Sequence, residues 1–496
     1  MRTKNALKTF LYGILMTSII AILGLVKTKC LLQYLGEEYV GIYQLFYQLF
    51  TYLSLVDGGI SASVAFHLYK PIHEKDTKKI NAIYCGAKYY FRIIGIIVIA
   101  LGILLSFGIM FLIKETTIAA WYIKVCFILF IISSALSYFT TAHAIIYESE
   151  QKLYKSSNLN HLLSIFESIT VIIVSYLGGK LLLILSIFLI LSIIKNIILV
   201  KISKKDHNYL VKNAEKDLSF KKEANSLIVS KVNTLINENI DVVILSKFVG
   251  LGSVFIYTAY NQIVSMIKLM VQRLNSAILP SVGNLFVAEK EKAKATFNEL
   301  NSLLFFIGSL LFAPLLYLLT PFIGLWYGEE YTVGLFVSFL FVSVLFINII
   351  KISLEAYIKA AGEFASVKNS SIYQCIVNTS LSLILVHKFG IAGVLCATVF
   401  AFITGNFIHF PRIIAKKITN DKVWNYYKKV IIYMLGLGIN IVLCYFITKV
   451  FTINNLLMWL LVGIIIFIIN GIVTTGYYII IKQTLFFNRL KKIIKR

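Results

Sequence analysis

Charge is scarce in this sequence. Only 14% of its 496 residues are Asp, Glu, Lys or Arg, 58% are hydrophobic, and the mean hydropathy is +0.82. Ordinary soluble domains carry about 25% charged residues, so a water-soluble globule is excluded and a polytopic membrane protein is expected. Acid is scarcer still, with 23 Asp and Glu against 48 Lys and Arg and a formal net charge of +25. In a soluble chain that surplus would point to nucleic acid. Here the bases sit in short segments between apolar runs, where orientation in a membrane accounts for them, and no nucleic-acid partner is expected. Cysteine chemistry is missing too: Cys30, Cys85, Cys126, Cys375, Cys396 and Cys444 lie in or beside apolar runs with no CxxC, so no disulfide framework or zinc site is readable. The seven histidines form no HExxH and no pair at i, i+4, and His67, His73 and His207 fall in basic loops. No metal or other cofactor is called for. Nor is there room for a soluble catalytic domain, since external loops such as those around residues 328–331 and 387–390 are too short for an independent core.

What is present is a rhythm of long apolar runs. Runs of about 18 residues or more centre near residues 20, 52, 100, 130, 167, 190, 235, 265, 308, 345, 378, 402, 438 and 470, giving an all-α chain of about 14 transmembrane helices. Twelve result if two runs pair wrongly. The first run follows Arg2, Lys4 and Lys8, as in a signal peptide, but continues to Val26 without a small-residue cleavage pattern, and reads as a retained helix. About 35 of the 48 Lys and Arg fall in one alternate set of loops, including 67–92, 201–222, 412–429 and both termini, which are therefore expected in the cytoplasm. The charged segment 201–223 follows six helices and reads as a cytoplasmic linker between an N-terminal six-helix lobe (1–200) and a C-terminal one (224–420), with residues 421–496 adding two helices and a basic tail. Offsetting the halves by 214 residues aligns Gly36 with Gly250, Val40 with Val254, Ile42 with Ile256, Tyr43 with Tyr257 and Gln48 with Gln262, as an internally repeated transporter would.

The stretch from Leu35 to Lys79 holds one membrane crossing between informative flanks. Gln44, Tyr47, Thr51, Ser54 and Gly58 recur within it at steps of three or four, so one face is polar. Further stripes run along Lys231, Thr234, Glu238 and Asp241; along Tyr257, Asn261, Val264, Lys268 and Asn275, with Arg273 nearby; and along Asn348, Lys351, Glu355 and Lys359. The first half adds Lys27, Asp57, Lys88, Arg92, Lys124 and Glu167. An intramembrane charge costs about 2.5 to 3.5 kcal/mol even on the lenient insertion scale, so each needs a partner or a wet cavity. Structural explanations compete. Lys88, Arg92 and Lys359 can snorkel to the cytoplasmic face and Lys27 outward with Lys29. Lys351 and Glu355 can neutralise each other across one turn, and Asp57, before Gly58 and Gly59, can bond the backbone at a helix distortion. Lys231, Glu238, Asp241 and Lys268 lie deeper and share faces with other polar groups, which favours a cavity. Its excess of cations suits an anionic substrate.

The segment from Tyr34 to Ile80 resembles the start of bacterial polysaccharide-repeat flippases of the multidrug/oligosaccharidyl-lipid/polysaccharide exporter superfamily. The matching features are the Leu35-Gly36 turn, the acid-glycine pair Asp57-Gly58, and Leu68-Tyr69-Lys70-Pro71 followed by Asp76; the sequence LWYGEEY at 325–331 is similar to the family's Gly-Glu external turn. The resemblance implies two six-helix lobes around a central cavity with alternating access, plus two peripheral helices. The implied cargo is an undecaprenyl-diphosphate-linked oligosaccharide, carried from the cytoplasmic to the outer leaflet of a bacterial plasma membrane for capsule, O-antigen or related polymer assembly. It implies no enzyme chemistry, possible use of a proton or sodium gradient, and a polysaccharide polymerase as a possible partner. On this reading Lys27, Lys124, Lys231, Lys268 and Arg273 are candidates for the diphosphate, and Asp57, Glu238 and Asp241 for the coupling ion. The family commonly has an arginine where the first helix ends; Lys27 and Lys29 stand here, so a point charge replaces a bidentate clamp. The rivals are a multidrug exporter of the same superfamily, which would prefer acidic and aromatic cavities, and a membrane polymerase or ligase, which would need a sizeable external loop or a catalytic cluster.

Overall fold

The computed structural model describes residues 2–57, 59–211, 214–221, 240–288, 293–360 and 362–483, and all regular structure among them is helical. The chain forms two compact units, Met1–Phe255 and Ile256–Arg496. The first contains α1 (Arg2–Leu35), α2 (Glu37–Leu53), α3 (Ile60–Glu74), α4 (Thr77–Gly108), α5 (Ala120–Ala135), α6 (Thr141–Ser149), α7 (Tyr154–Tyr176), α8 (Leu181–Asp206), α9 (240–248) and the start of α10 (Leu251–Ala288). The second takes the rest of α10, then α11 (Ala293–Tyr327), α12 (Leu335–Ala360), α13 (Phe364–Phe389), α14 (Ile391–Phe402), α15 (Ile408–Ile414), α16 (Val423–Val450) and α17 (Leu456–Ile480). Eleven helices among the described residues are long and apolar enough to cross a membrane, or twelve if the bent pair Glu37–Asp57 and Ile60–Glu74 is one span. Of the fourteen runs expected, the one near 235 falls largely on 222–239, outside the described residues. The one near 378 is the 26-residue α13, whose Asn, Ser and Gln residues keep it below the apolarity of the others. Large apolar side chains such as Leu104, Phe107, Phe111, Leu457 and Ile472 face outward, as a lipid solvent requires.

The crossing expected to be continuous from Leu35 to Lys79 is broken. A single 3-10 turn, Ser54–Asp57, ends α2, and the chain restarts at Ile60 behind Gly59, whose φ of 86° is left-handed, with a bend of more than 40°. Gly36 and Gly250 open α2 and α10 with φ of 98° and 130°. Positions aligned by the 214-residue repeat thus make the same turn, one that a side chain would strain.

The segment after α8 is stitched to the first unit. Phe220 is fully buried among Ile60, Val64, Ile83 and Phe91, and its carbonyl accepts from Ser63 Oγ at 2.7 Å. Asn81 donates to the Tyr209 carbonyl (2.9 Å) and accepts from Val211 N–H (2.8 Å), while Asp217 N–H reaches the Ala82 carbonyl (3.1 Å). The described parts of 207–221 therefore form a strap over α3 and α4. Burying Phe220 alone contributes about 1.5 to 3 kcal/mol. At the strap's start His207 Nε2 lies 3.1 Å and Lys152 Nζ 2.9 Å from Glu150 Oε2. Partial burial would raise the Glu150 pKa, but the hydrogen bonds from Lys152 and His207 outweigh it and hold the carboxyl below its ordinary value. Asp217 is likewise held low, chiefly by the Ser219 backbone N–H.

In the second unit α16 and α17 pack on α11 around Ala313, Leu318, Cys444, Val462 and Ile466. Two prolines, Pro314 and Pro321, interrupt the hydrogen-bond ladder of α11. Polar side chains of α17 meet the carbonyls beside them: Asn470 Nδ2 donates to Leu310 O at 2.8 Å and Trp459 Nε1 to Leu318 O at 2.8 Å.

Candidate functional site

Within the first unit, α1 lies along α7, α7 along α8, and the end of α1 meets α2. This arrangement gathers charge inside the apolar helices. Lys27 of α1 places its Nζ 5.0 Å from the Tyr43 ring of α2, a cation–π contact. Tyr43 is itself fixed by an edge-on contact with Phe130 of α5, with centroids 5.8 Å apart. Glu167 of α7 lies within electrostatic reach of both Lys27 and Lys195, and Lys195 of α8 donates to Asn160 Oδ1 at 3.4 Å. Two ammonium groups thus act on one carboxylate. Two lysines against one glutamate leave the cluster with a formal surplus of one positive charge.

The expected residues fall in different places. Lys27 belongs to this cluster. Glu167 does too, although the sequence singled it out only as a membrane charge, and Lys195 was missed altogether. The signal was available: Lys195 is the lone charge in the apolar body of α8, between Leu181 and Val200. Lys124 is half-buried in the first turns of α5. Asp57 sits at the break after α2 and accepts from Ser61 Oγ at 3.4 Å, so the helix distortion is real. Asp241 is 5% exposed in α9. Lys231 and Glu238 lie outside the described residues, as does the Arg273 side chain.

In the second unit Lys268 is half-buried in α10. Glu355 of α12 pairs with Lys359 at 3.1 Å, with Lys351 one turn away on the other side. The carboxylate bonds Lys359 directly, and Lys351 also acts on its charge. Between α13 and α14, Thr398 Oγ1 donates to Asn378 Oδ1 at 3.2 Å. A π turn, Ile403–Phe407, carries Asn406 to Gln374 at 3.3 Å.

The chain is a helical, multi-pass membrane protein with charges held inside its spans, and the comparisons give it a family and a fold. The chain belongs to the polysaccharide biosynthesis protein family, whose model matches residues 6–286. No curated relative matches its sequence. Among solved structures it is similar to the lipid II flippase MurJ in an inward closed conformation, with 19% identity and a TM-score of 0.70 over 94% of this chain and 98% of that one. It is also similar to an inward-facing multidrug resistance MATE family transporter of the MOP superfamily, at 13% identity and a TM-score of 0.62 over 80% of this chain and 96% of that one. An outward-facing MATE family transporter of the same superfamily matches at 14% identity and a TM-score of 0.56, covering 80% and 92%. At such identities the likeness is one of fold.

Proposed function

We propose that the protein is a flippase for a lipid-diphosphate-linked oligosaccharide, moving it by alternating access from the cytoplasmic to the outer leaflet of a bacterial plasma membrane for surface polysaccharide assembly. The observation that carries this reading is the cluster of Lys27, Tyr43, Glu167 and Lys195, whose surplus cation matches a diphosphate and would repel an organic cation. Family membership and the MurJ-like fold support it. Lys124, Lys268 and Arg273 remain proposed phosphate contacts, and Asp57 and Asp241 proposed coupling groups. On this reading the protein makes and breaks no covalent bond, and both termini are cytoplasmic.

The test is reconstitution into vesicles carrying a fluorescent undecaprenyl-diphosphate oligosaccharide in one leaflet. Movement of the intact lipid, reduced by Lys27→Gln and Lys195→Gln, is the expected result. Efflux of organic cations without lipid movement would assign the protein to multidrug export instead, and appearance of longer glycans would make it a polymerase.

A further inference from the structure

Lys27 has a second aromatic neighbour. Besides the Tyr43 ring 5.0 Å from its Nζ, Tyr47 of α2 lies within its electrostatic reach. The two tyrosines stand one turn apart, about 6 Å along the helix axis, but in different settings. Tyr43 is held edge-on against Phe130. Tyr47 is 58% exposed, the only exposed residue of α2, and its ring makes no aromatic contact among the described residues.

Lipid is not what this side of α2 is made for. Gln44, Tyr47, Thr51 and Ser54 follow one another along a single stripe, with no aliphatic side chain among them. The outward face of α17 shows the lipid-facing alternative: Leu457, Leu461, Ile464, Ile468 and Ile472 are all exposed and all apolar. On the α2 stripe Thr51 Oγ1 donates to the Tyr47 carbonyl at 2.9 Å and Ser54 Oγ to the Thr51 carbonyl at 2.6 Å, so both hydroxyl oxygens keep lone pairs for an outside donor. Gln44 adds an amide, donor and acceptor together. An open π face is thus bordered by polar groups along its own helix.

A sugar is the complement of such a face. One side of a pyranose ring presents C–H bonds with partial positive charge, which pack on the negative face of an aromatic ring, while the hydroxyls at its edge seek donors and acceptors. A sugar joined directly to a diphosphate stands next to it, and Tyr47 stands one turn from the ring that Lys27 covers. We propose that Tyr47 is the platform on which the first sugar of the lipid-linked oligosaccharide stacks, beside the diphosphate at Lys27, with Gln44 and Thr51 bonding its hydroxyls. The inference rests on the flippase reading and names a further contact for that cargo. A π face accepts different hexoses, so Tyr47 selects for the presence of a sugar at the first position, not for one particular sugar.

The full-length protein, purified in detergent, is titrated calorimetrically with undecaprenyl diphosphate in three forms: bare, bearing one glucose and bearing one galactose. Wild type is compared with Tyr47→Phe, Tyr47→Leu and Lys27→Gln. Wild type and Tyr47→Phe should bind both glycosylated lipids about five-fold or more tightly than the bare one, and Tyr47→Leu should bring that ratio below about two. Lys27→Gln should weaken all three ligands alike. A wild type with no preference for the sugar, or a Tyr47→Leu that keeps the preference, overturns the platform while the flippase reading still stands on bare-lipid binding and its loss in Lys27→Gln. A preference lost equally in Tyr47→Phe also overturns it, since the ring is still there. Wild type that binds none of the three overturns both readings. Should Tyr47→Leu not fold, Tyr47→Gln, which suits a wet face, is read in the same way.

Discussion

Asn470 Nδ2 donates to the Leu310 carbonyl at 2.8 Å, and this is the carbonyl that Pro314, four residues on, leaves without a helical partner. The last helix is thus tied to a backbone defect in α11, beside the apolar contacts that pack it there. Asn470→Leu should lower thermal stability by about 1 to 3 kcal/mol, the cost of an unsatisfied buried carbonyl. Pro314→Ala supplies the missing N–H, so the double variant should recover most of the loss. A double-mutant cycle on the purified protein, read by thermal unfolding, checks this. Strict additivity would show that the two residues do not share the carbonyl.

Lys195 and Lys27 should bind diphosphate directly. Replacing either by Gln removes a charge-assisted bond worth about 1.5 to 3 kcal/mol, or roughly ten-fold to hundred-fold in affinity for a lipid diphosphate. Glu167→Gln, by contrast, should tighten binding, because it removes the only carboxylate described in the cluster. Binding titrations on the three variants, with thermal stability as a control, distinguish this from a structural ion pair, in which all three would lose stability and none would change affinity selectively.

The strap over α3 and α4 should loosen in acid. Glu150 in the folded chain binds its proton more weakly than in the unfolded chain, so its contribution is complete above its ordinary value of 4.5 and is lost as pH falls through the lower folded value. Hydrogen exchange of residues 207–221, followed by mass spectrometry, should accelerate over that window, and Glu150→Gln should show faster exchange already at neutral pH.

Gly86 faces the strap without a side chain. An added Cβ would collide with the Asp217 carbonyl oxygen, a backbone atom that cannot swing away. Gly86→Ala should cost about 1 to 3 kcal/mol and raise exchange in the strap more than elsewhere in the first unit.

Orientation has its own test. In a background lacking the six native cysteines, a cysteine within residues 207–211 should resist an impermeant thiol reagent in intact cells and one at Glu329 should react.

The helical class, the spans and the turn at Gly36 were legible because apolar length and a left-handed glycine are local properties. Lys27 was legible as a charge out of place. Its surroundings were not, since Tyr43, Glu167 and Lys195 come from three other helices and only packing brings them near. Phe220 shows the opposite difficulty: one aromatic in a charged stretch looks incidental until its buried position is seen. The Asn470 contact was hidden for a similar reason, because nothing in the sequence pairs an asparagine in α17 with a proline some 150 residues earlier.

The paired turns at Gly36 and Gly250 give the two halves a common ruler. Nine residues before Gly36 stands Lys27; nine residues before Gly250 stands Asp241. The two equivalent places hold charges of opposite sign. The same glycine turn thus carries unlike charges in its two settings, and a charge swap, Lys27→Asp with Asp241→Lys, asks something no single substitution can: whether the two places are interchangeable as scaffolds while differing as reagents.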